Sequence, residues 1–341
     1  MMLSACLLSA VLIAITGLSS APSAIASKDY HRGFPDPAGE EIANRTLLVE
    51  GPVTHHFLVA SWADGSRGTP AAHTISGDVR RLDPSPFPDG RPVWVYLPPG
   101  YDAAPERRYP VLYMWDGQNV FDAATSFVGE WEVDETCERL IAAGRIPPLI
   151  VVALGNGAER RSREYTPWPD PDFRRGESGG GQEHLQLVVD RVLPRINREF
   201  LTLEGPRNTG LTGSSFGGLM TILAAGTHAE TFGRLGIFSP SLWWHREQPN
   251  AFAAQHIRPG VRLYVDMGGR ENNRVEDGDG NGVDDSIDQL RRFAETLQGR
   301  GFEVGKDLMV VEDPAGRHHE DSWARRFPAA LEFLFPPQLG D

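Results

Sequence analysis

Between Arg91 and Pro314, short and nearly unbroken apolar runs recur, each bounded by Gly, Pro or Asp. "RPVWVYLP", "PVLYMW", "PLIVVALG", "NTGLTGS", "RLGIFSP", "VRLYVDMG" and "KDLMVVEDP" are rich in β-branched and aromatic residues, which marks them as strands. A strand that is apolar on both sides must be covered on both faces, the situation of a parallel sheet flanked by helices. The stretches between the runs supply helices at 131–143, 183–200 and 322–335, with two more starting at Phe216 and Ser286. Strand and helix in alternation predict an α/β chain with a mostly parallel central sheet and crossover connections.

The balance of 33 Lys plus Arg against 46 Asp plus Glu argues against nucleic acid, whose phosphates require a cationic face. It also disfavours anionic lipid surfaces. The first residues, "MMLSACLLSAVLIAITGLSSAPSAIASKDY", carry no charge before Lys28 and end their apolar run near Ala24-Ile25-Ala26, a small-x-small pattern. We expect residues 1–26 to be a signal peptide, with the mature protein secreted or periplasmic and without a stable membrane span. Residues 27–87, which include "TLLVEG", "HHFLVASW" and a Pro-rich connection, are expected to form a β-rich extension packed on the sheet. Cleavage after the signal would leave Cys137 as the only cysteine, so no internal disulfide is expected. Its setting in "WEVDETCERL", on an amphipathic helix, suits core packing.

"NTGLTGSSFGGLMTILAAG" contains Gly213-Ser214-Ser215-Phe216-Gly217, a G-x-S-x-G match entered by a strand and left by an Ala-rich helix. That context turns a weak pentapeptide into a specific signal. A sharp strand-to-helix turn holds the Ser215 hydroxyl clear of the backbone, and the flanking glycines let neighbouring chains approach without a Cβ. The helix start contributes positive potential and the free N–H of Phe216, suited to a developing oxyanion.

Together, "RPVWVYLPPGYD…RYPVLYMWDGQNVFD", "GLTGSSFGG" and "HHEDSWARRFPAALEFLF" resemble the esterase family of α/β-hydrolases that holds esterase D-like, enterochelin-esterase-like and feruloyl-esterase-like enzymes. The resemblance spans residues 88–338 and implies an α/β-hydrolase fold, ester hydrolysis by a Ser–acid–His triad, and no organic cofactor. A serine hydroxyl needs a base to take its proton. In this fold the base follows the last strand, where "GRHHEDSW" offers His318 and His319. The resemblance aligns a His followed five residues later by Trp, which selects His318 with Trp323. His55, His56, His73 and His184 precede the nucleophile and are disfavoured by chain order. The acid is expected after "VRLYVDMG", at Glu271 in "GGREN", with Asp266 inside the strand as competitor. The second oxyanion donor is expected from "DGQNVFD", at the Gln118 N–H just past Gly117. Trp115, Trp131, Trp168, Trp243 and Trp244 fall near this side, either lining a cleft or in the core.

The stretch "DGDGNGVDDSID" places Asp277, Asp279, Asn281, Val283, Asp285 and Asp288 at positions 1, 3, 5, 7, 9 and 12 of a calcium-loop pattern, with Gly282 at position 6. It resembles the thrombospondin type 3 calcium repeat. We expect a structural calcium ion there, since crowded carboxylates become favourable once a divalent cation neutralises them. The substrate class expected from the whole reading is a small-molecule or glycan-linked ester, on polysaccharide or in a siderophore. Acyl transfer on the same scaffold, and a catalytically inactive calcium-dependent binding protein, stay open on the residues alone.

Overall fold

In a computed structural model of the chain, residues 72–173 and 177–337 are described. The strands are β1 Asp78–Arg81, β2 Val93–Leu97, β3 Val111–Met114, β4 Ile150–Leu154, β5 Thr209–Ser215, β6 Arg234–Pro240, β7 Arg262–Gly268 and β8 Leu308–Asp313. All seven expected runs are among them. They form one sheet in the order β1-β2-β4-β3-β5-β6-β7-β8. Strand β2 is antiparallel to β1 and β4, and every other pairing is parallel. This is the architecture of an α/β-hydrolase.

The longer helices are α1 Val133–Ala142, α2 over 181–199 (two α-helical segments joined by a π-helical turn at Val188–Val192), α3 Phe216–Thr227, α4 Trp244–His256, α5 Asp285–Gly299 and α6 Glu320–Leu334. Successive strand residues point to opposite faces, so each central strand feeds two cores. Val111, Tyr113, Ile150, Val152, Leu263 and Val265 enter the core covered by α2, α3, α4 and α5. Leu112, Met114, Val151, Ala153 and Tyr264 enter the other, covered by α1 and α6. Strands β3, β4 and β5 are buried along their whole length, and that double burial produces their unbroken apolar runs. Cys137 lies fully buried in the α1–α6 core, where burial pushes its thiol well above its ordinary value.

Helix α4 was not expected from the sequence. Its first turn, at His245, Arg246 and Glu247, has left-handed backbone angles, and it contains Pro249, so the 3.6-residue pattern is broken. Of the N-terminal extension, residues from 72 onward are described, and β1 pairs with β2. The expected signal peptide and the runs "TLLVEG" and "HHFLVASW" lie outside the described residues. Among the described residues no helix is long and apolar enough to cross a membrane.

Candidate active site

Strand β5 ends at Ser215 in the middle of the sheet, and α3 begins at the next residue. Ser215 has φ 56° and ψ −121°, a conformation that residues with a Cβ rarely adopt. The neighbouring glycines make the turn possible. A Cβ on Gly213 would lie 2.7 Å from Trp115 Cδ1, and one on Gly218 2.9 Å from Pro240 Cβ. Phe216 opens α3, where a backbone N–H has no intrahelical acceptor. Ser215 Oγ is hydrogen-bonded to Ser241 Oγ at 3.5 Å, a long contact for two hydroxyls.

His318 follows β8, as expected. Its Nδ1 lies 2.6 Å from Glu271 Oε2, and its backbone N–H donates to the Glu271 carbonyl at 3.3 Å. The Trp323 indole meets the imidazole edge-on at a centroid distance of 5.1 Å. Glu271 Oε1 is fixed separately, by the Gly268 N–H at 2.5 Å and the Ser239 hydroxyl at 2.8 Å. One carboxylate oxygen is therefore anchored to the sheet, and the other orients a histidine. Neither His318 Nε2 nor Ser215 Oγ bonds the other, so Nε2 carries no hydrogen bond among the described residues.

The alternatives have other places. His319 accepts the Asp321 N–H at 3.2 Å and caps α6. Asp266 is fully buried and accepts from the Ser239 N–H, Tyr264 Oη, and Arg326 Nε and Nη2 at 2.8–3.0 Å. Arg326 also helps brace Glu271, because Arg326 Nη2 and Trp323 Nε1 both donate to Ser239 Oγ, at 2.9 and 3.0 Å. Sequence reasoning missed Ser239 and Arg326. His184 is buried against Phe87 and Trp115, and burial lowers its pKa to about 4.

Gln118 sits in a one-turn 3-10 helix, Gly117–Asn119, directly after β3. Gly117 is required there, since a Cβ would lie 2.6 Å from the Ala153 carbonyl carbon. The preceding Asp116 has φ 55° and is buried. Its carboxylate takes Arg161 in a bidentate pair at 2.6 and 2.7 Å, and Asn156 Nδ2 at 2.7 Å. Asp116 thus anchors the turn, and the Arg161 guanidinium lies 5.7 Å from the centre of the Phe216 ring. Nothing in the sequence around Arg161 signals this pairing.

Of the five tryptophans, Trp115, Trp131 and Trp244 are buried, Trp168 is half-buried, and Trp243 is 37 % exposed. Trp243, Trp244 and Phe173 gather around the Phe216 ring, with centroid distances of 6.4, 5.1 and 6.1 Å. An aromatic group therefore gathers around the residue that follows Ser215.

In the acidic loop, oxygens of Asp277, Asp279 and Asp285 lie within 4.8 Å of one another. Asn281 Nδ2 donates to Asp279 Oδ2 at 3.2 Å and Asp288 Oδ2 at 2.8 Å, so Asn281 and Asp288 face each other. Val283 is half-buried and donates its N–H to Asn281 Oδ1. Asp284, outside the pattern, caps α5 by accepting the Ser286 N–H at 2.9 Å.

The family model for Putative esterase matches residues 86–334. Among curated proteins, an uncharacterized protein YbbA of Bacillus subtilis is 27 % identical over 71 % of this chain and 91 % of its own length. An endo-1,4-beta-xylanase/feruloyl esterase of Xylanibacter ruminicola is 29 % identical over 71 % of this chain but only 29 % of its own length. An IroE-like serine hydrolase from Shewanella oneidensis superposes with TM-score 0.59 at 21 % identity, over 76 % of this chain and 80 % of that one.

Proposed function

The chain belongs to the Putative esterase family and is a carboxylic ester hydrolase, and from that premise we propose that it cleaves its ester through an acyl-enzyme on Ser215. His318 is the general base and Glu271 holds its tautomer, while the N–H groups of Phe216 and Gln118 receive the oxyanion. The observation that carries this reading is the positive φ of Ser215 at the β5–α3 junction, a strained conformation of the kind that concentrates at active sites. The Glu271–His318 contact at 2.6 Å supports it by leaving Nε2 as the open nitrogen. Hydrogen bonds between catalytic groups are often long until the substrate is in place, and the Ser215–Ser241 contact is weak enough to yield.

In the attack, Ser215 Oγ bonds the carbonyl carbon as its proton passes to His318 Nε2. The oxyanion collapses, the alcohol leaves with that proton, and water repeats the sequence in reverse roles. The aromatic group of Phe216 and Trp243 favours an aryl acyl moiety, such as a feruloyl group on polysaccharide. The names of the relatives include a feruloyl esterase and siderophore esterases. Secretion or a periplasmic place suits such a substrate. A calcium ion held by Asp277, Asp279 and Asp285 would tether the start of α5 and the loop carrying Glu271; its role would be structural. Incubation with a fluorophosphonate probe and mapping by mass spectrometry tests the core of the reading. Label at Ser215, lost in Ser215→Ala, is expected; a folded, unlabelled protein would overturn it.

A further inference from the structure

One hydrogen bond joins the two loops that flank the reacting centre. Glu320 lies two residues past His318 and opens α6, with 3 % of its surface exposed. Its Oε1 accepts Asn119 Nδ2 at 3.0 Å, across 201 residues of sequence. Asn119 ends the turn that carries Gln118, and its remaining groups are also engaged. Its N–H donates to the Asp116 carbonyl at 2.9 Å, its Oδ1 accepts the Phe127 N–H at 3.0 Å, and its carbonyl accepts the Trp131 N–H at 2.9 Å. The segment after the turn packs on the same place, because a Cβ on Gly129 would lie 3.2 Å from both Glu320 Cβ and His319 Cε1.

We propose that Glu320 is a positioning residue for ester cleavage, its carboxyl clamping the oxyanion turn, through Asn119, to the loop that carries the base. The proposal rests on the assignment of Ser215, His318 and Gln118 above. A turn free to drift by an ångström would place the Gln118 N–H off the developing oxyanion, and such misplacement is costly to rate.

The clamp has an electrostatic side. Among the described residues Glu320 takes part in no ion pair, and the charged groups that act on it are Asp116 and Arg161, with His319 and Asp321 as its titratable chain neighbours. Burial, with Asp116 adding to it, pushes the carboxyl up to about 8, against the opposing pulls of its own backbone N–H, Asn119 and Arg161. Below that pH the group is a neutral acid whose carbonyl oxygen serves Asn119. Above it, a buried negative charge stands beside the turn that must stabilise a second one. The sign follows: kcat falls as pH rises through the Glu320 titration.

The test compares Glu320→Gln, which keeps the acceptor and removes the titration, with Glu320→Ala, which removes both. With p-nitrophenyl acetate as the probe, kcat and KM are measured from about pH 6 to 10, with melting temperatures alongside. The wild type is expected to lose kcat above about pH 8, and Glu320→Gln to hold its plateau through that range with kcat at pH 7 within about threefold of wild type. Glu320→Ala is expected to lose about tenfold or more in kcat with KM within about twofold. An alkaline limb that persists unchanged in Glu320→Gln would overturn the proposal even if Glu320→Ala fails to fold. So would a Glu320→Ala variant with wild-type kcat. Retained activity in Ser215→Ala would instead sink the underlying assignment, so the two failures are distinguishable.

Discussion

Asp266 and Glu271 are both buried acids at the end of β7, and exchanging each for its amide should separate catalysis from folding. In Glu271→Gln the side-chain oxygen can still accept the Gly268 N–H and the Ser239 hydroxyl, so the fold keeps its anchor. The amide nitrogen then faces His318 Nδ1 and donates to it. That drives the ring proton to Nε2, the atom that must accept the proton of Ser215. Such a tautomer reversal lowers kcat by about 10⁴ in a serine triad, or ~5.5 kcal/mol at 1.36 kcal/mol per decade. Asp266→Asn acts differently. An amide offers one acceptor where the carboxylate offers two, and it leaves the buried Arg326 guanidinium short of charge. Breaking a buried pair costs about 3–5 kcal/mol. Asp313 still touches Arg326 Nη1 at 3.2 Å, which favours the lower end. At about 2–4 °C per kcal/mol for a domain of this size, the melting temperature should fall by roughly 10 °C. Scanning fluorimetry supplies the melting temperatures, and kcat on p-nitrophenyl acetate is taken per labelled site. The expected pattern is an inactive, stable Glu271→Gln and a less stable Asp266→Asn that keeps activity within about tenfold in the cold. If Asp266→Asn is the stable, inactive variant and Glu271→Gln remains active, the acid has been misassigned.

The two adjacent histidines should behave unlike each other. His318→Ala is expected to remove about 10³-fold or more of kcat, whereas His319→Ala loses only the α6 cap, about 1 kcal/mol seen as a small drop in melting temperature; equal loss of kcat in both would contradict this. At the start of α1, burial raises Asp134 to about 9, and its Oδ1, like Glu130 Oε1 and Glu135 Oε2, is buried with no hydrogen bond among the described residues. A carboxyl whose folded pKa lies above its unfolded value binds more protons when folded, so its contribution to stability declines as pH rises from about 4 to about 9. Asp134→Asn, which can still accept the Ser76 N–H, should therefore raise the melting temperature at pH 8 more than at pH 5; a larger gain at pH 5 would reverse the sign argued here. Chelation with EGTA should lower melting temperature and activity together, calcium should restore both, and Asp279→Ala should abolish the response. An unchanged melting temperature in metal-free buffer would end the calcium proposal.

What the sequence disclosed depended on how local each cause was. Strands β3, β4 and β5 are buried on both faces, so burial alone writes an unbroken apolar run into the chain. The β5–α3 turn was legible for a similar reason. Gly213, Ser215, Gly217 and Gly218 satisfy one steric demand within six residues, with Trp115 and Pro240 filling the space a Cβ would need. Helix α4 was hidden because its backbone leaves helical angles just where a periodic pattern would start. The supports of the site were hidden for another reason. Ser239 meets Glu271, Trp323 and Arg326 at separations of 32, 84 and 87 residues, and single polar residues announce no such meetings.

Asp266 nevertheless carried more information than was drawn from it. Along β7 it shares a face with Tyr264, which points into the core under α6, while Val265 and Met267 point into the other. A carboxylate in that phase faces an apolar layer, where an unpaired charge is too costly to keep. It therefore requires a cation from the helix that covers that face, and α6 supplies Arg326 at 2.8 Å. Glu271 is under no such demand. It lies three residues beyond the end of β7, at the carboxyl ends of the strands, where an open α/β sheet places its chemistry. Strand phase by itself thus assigns Asp266 to the fold and frees Glu271 for the histidine. The same reasoning identifies any charged residue in the buried phase of a central strand as one half of a pair whose partner sits on the overlying helix.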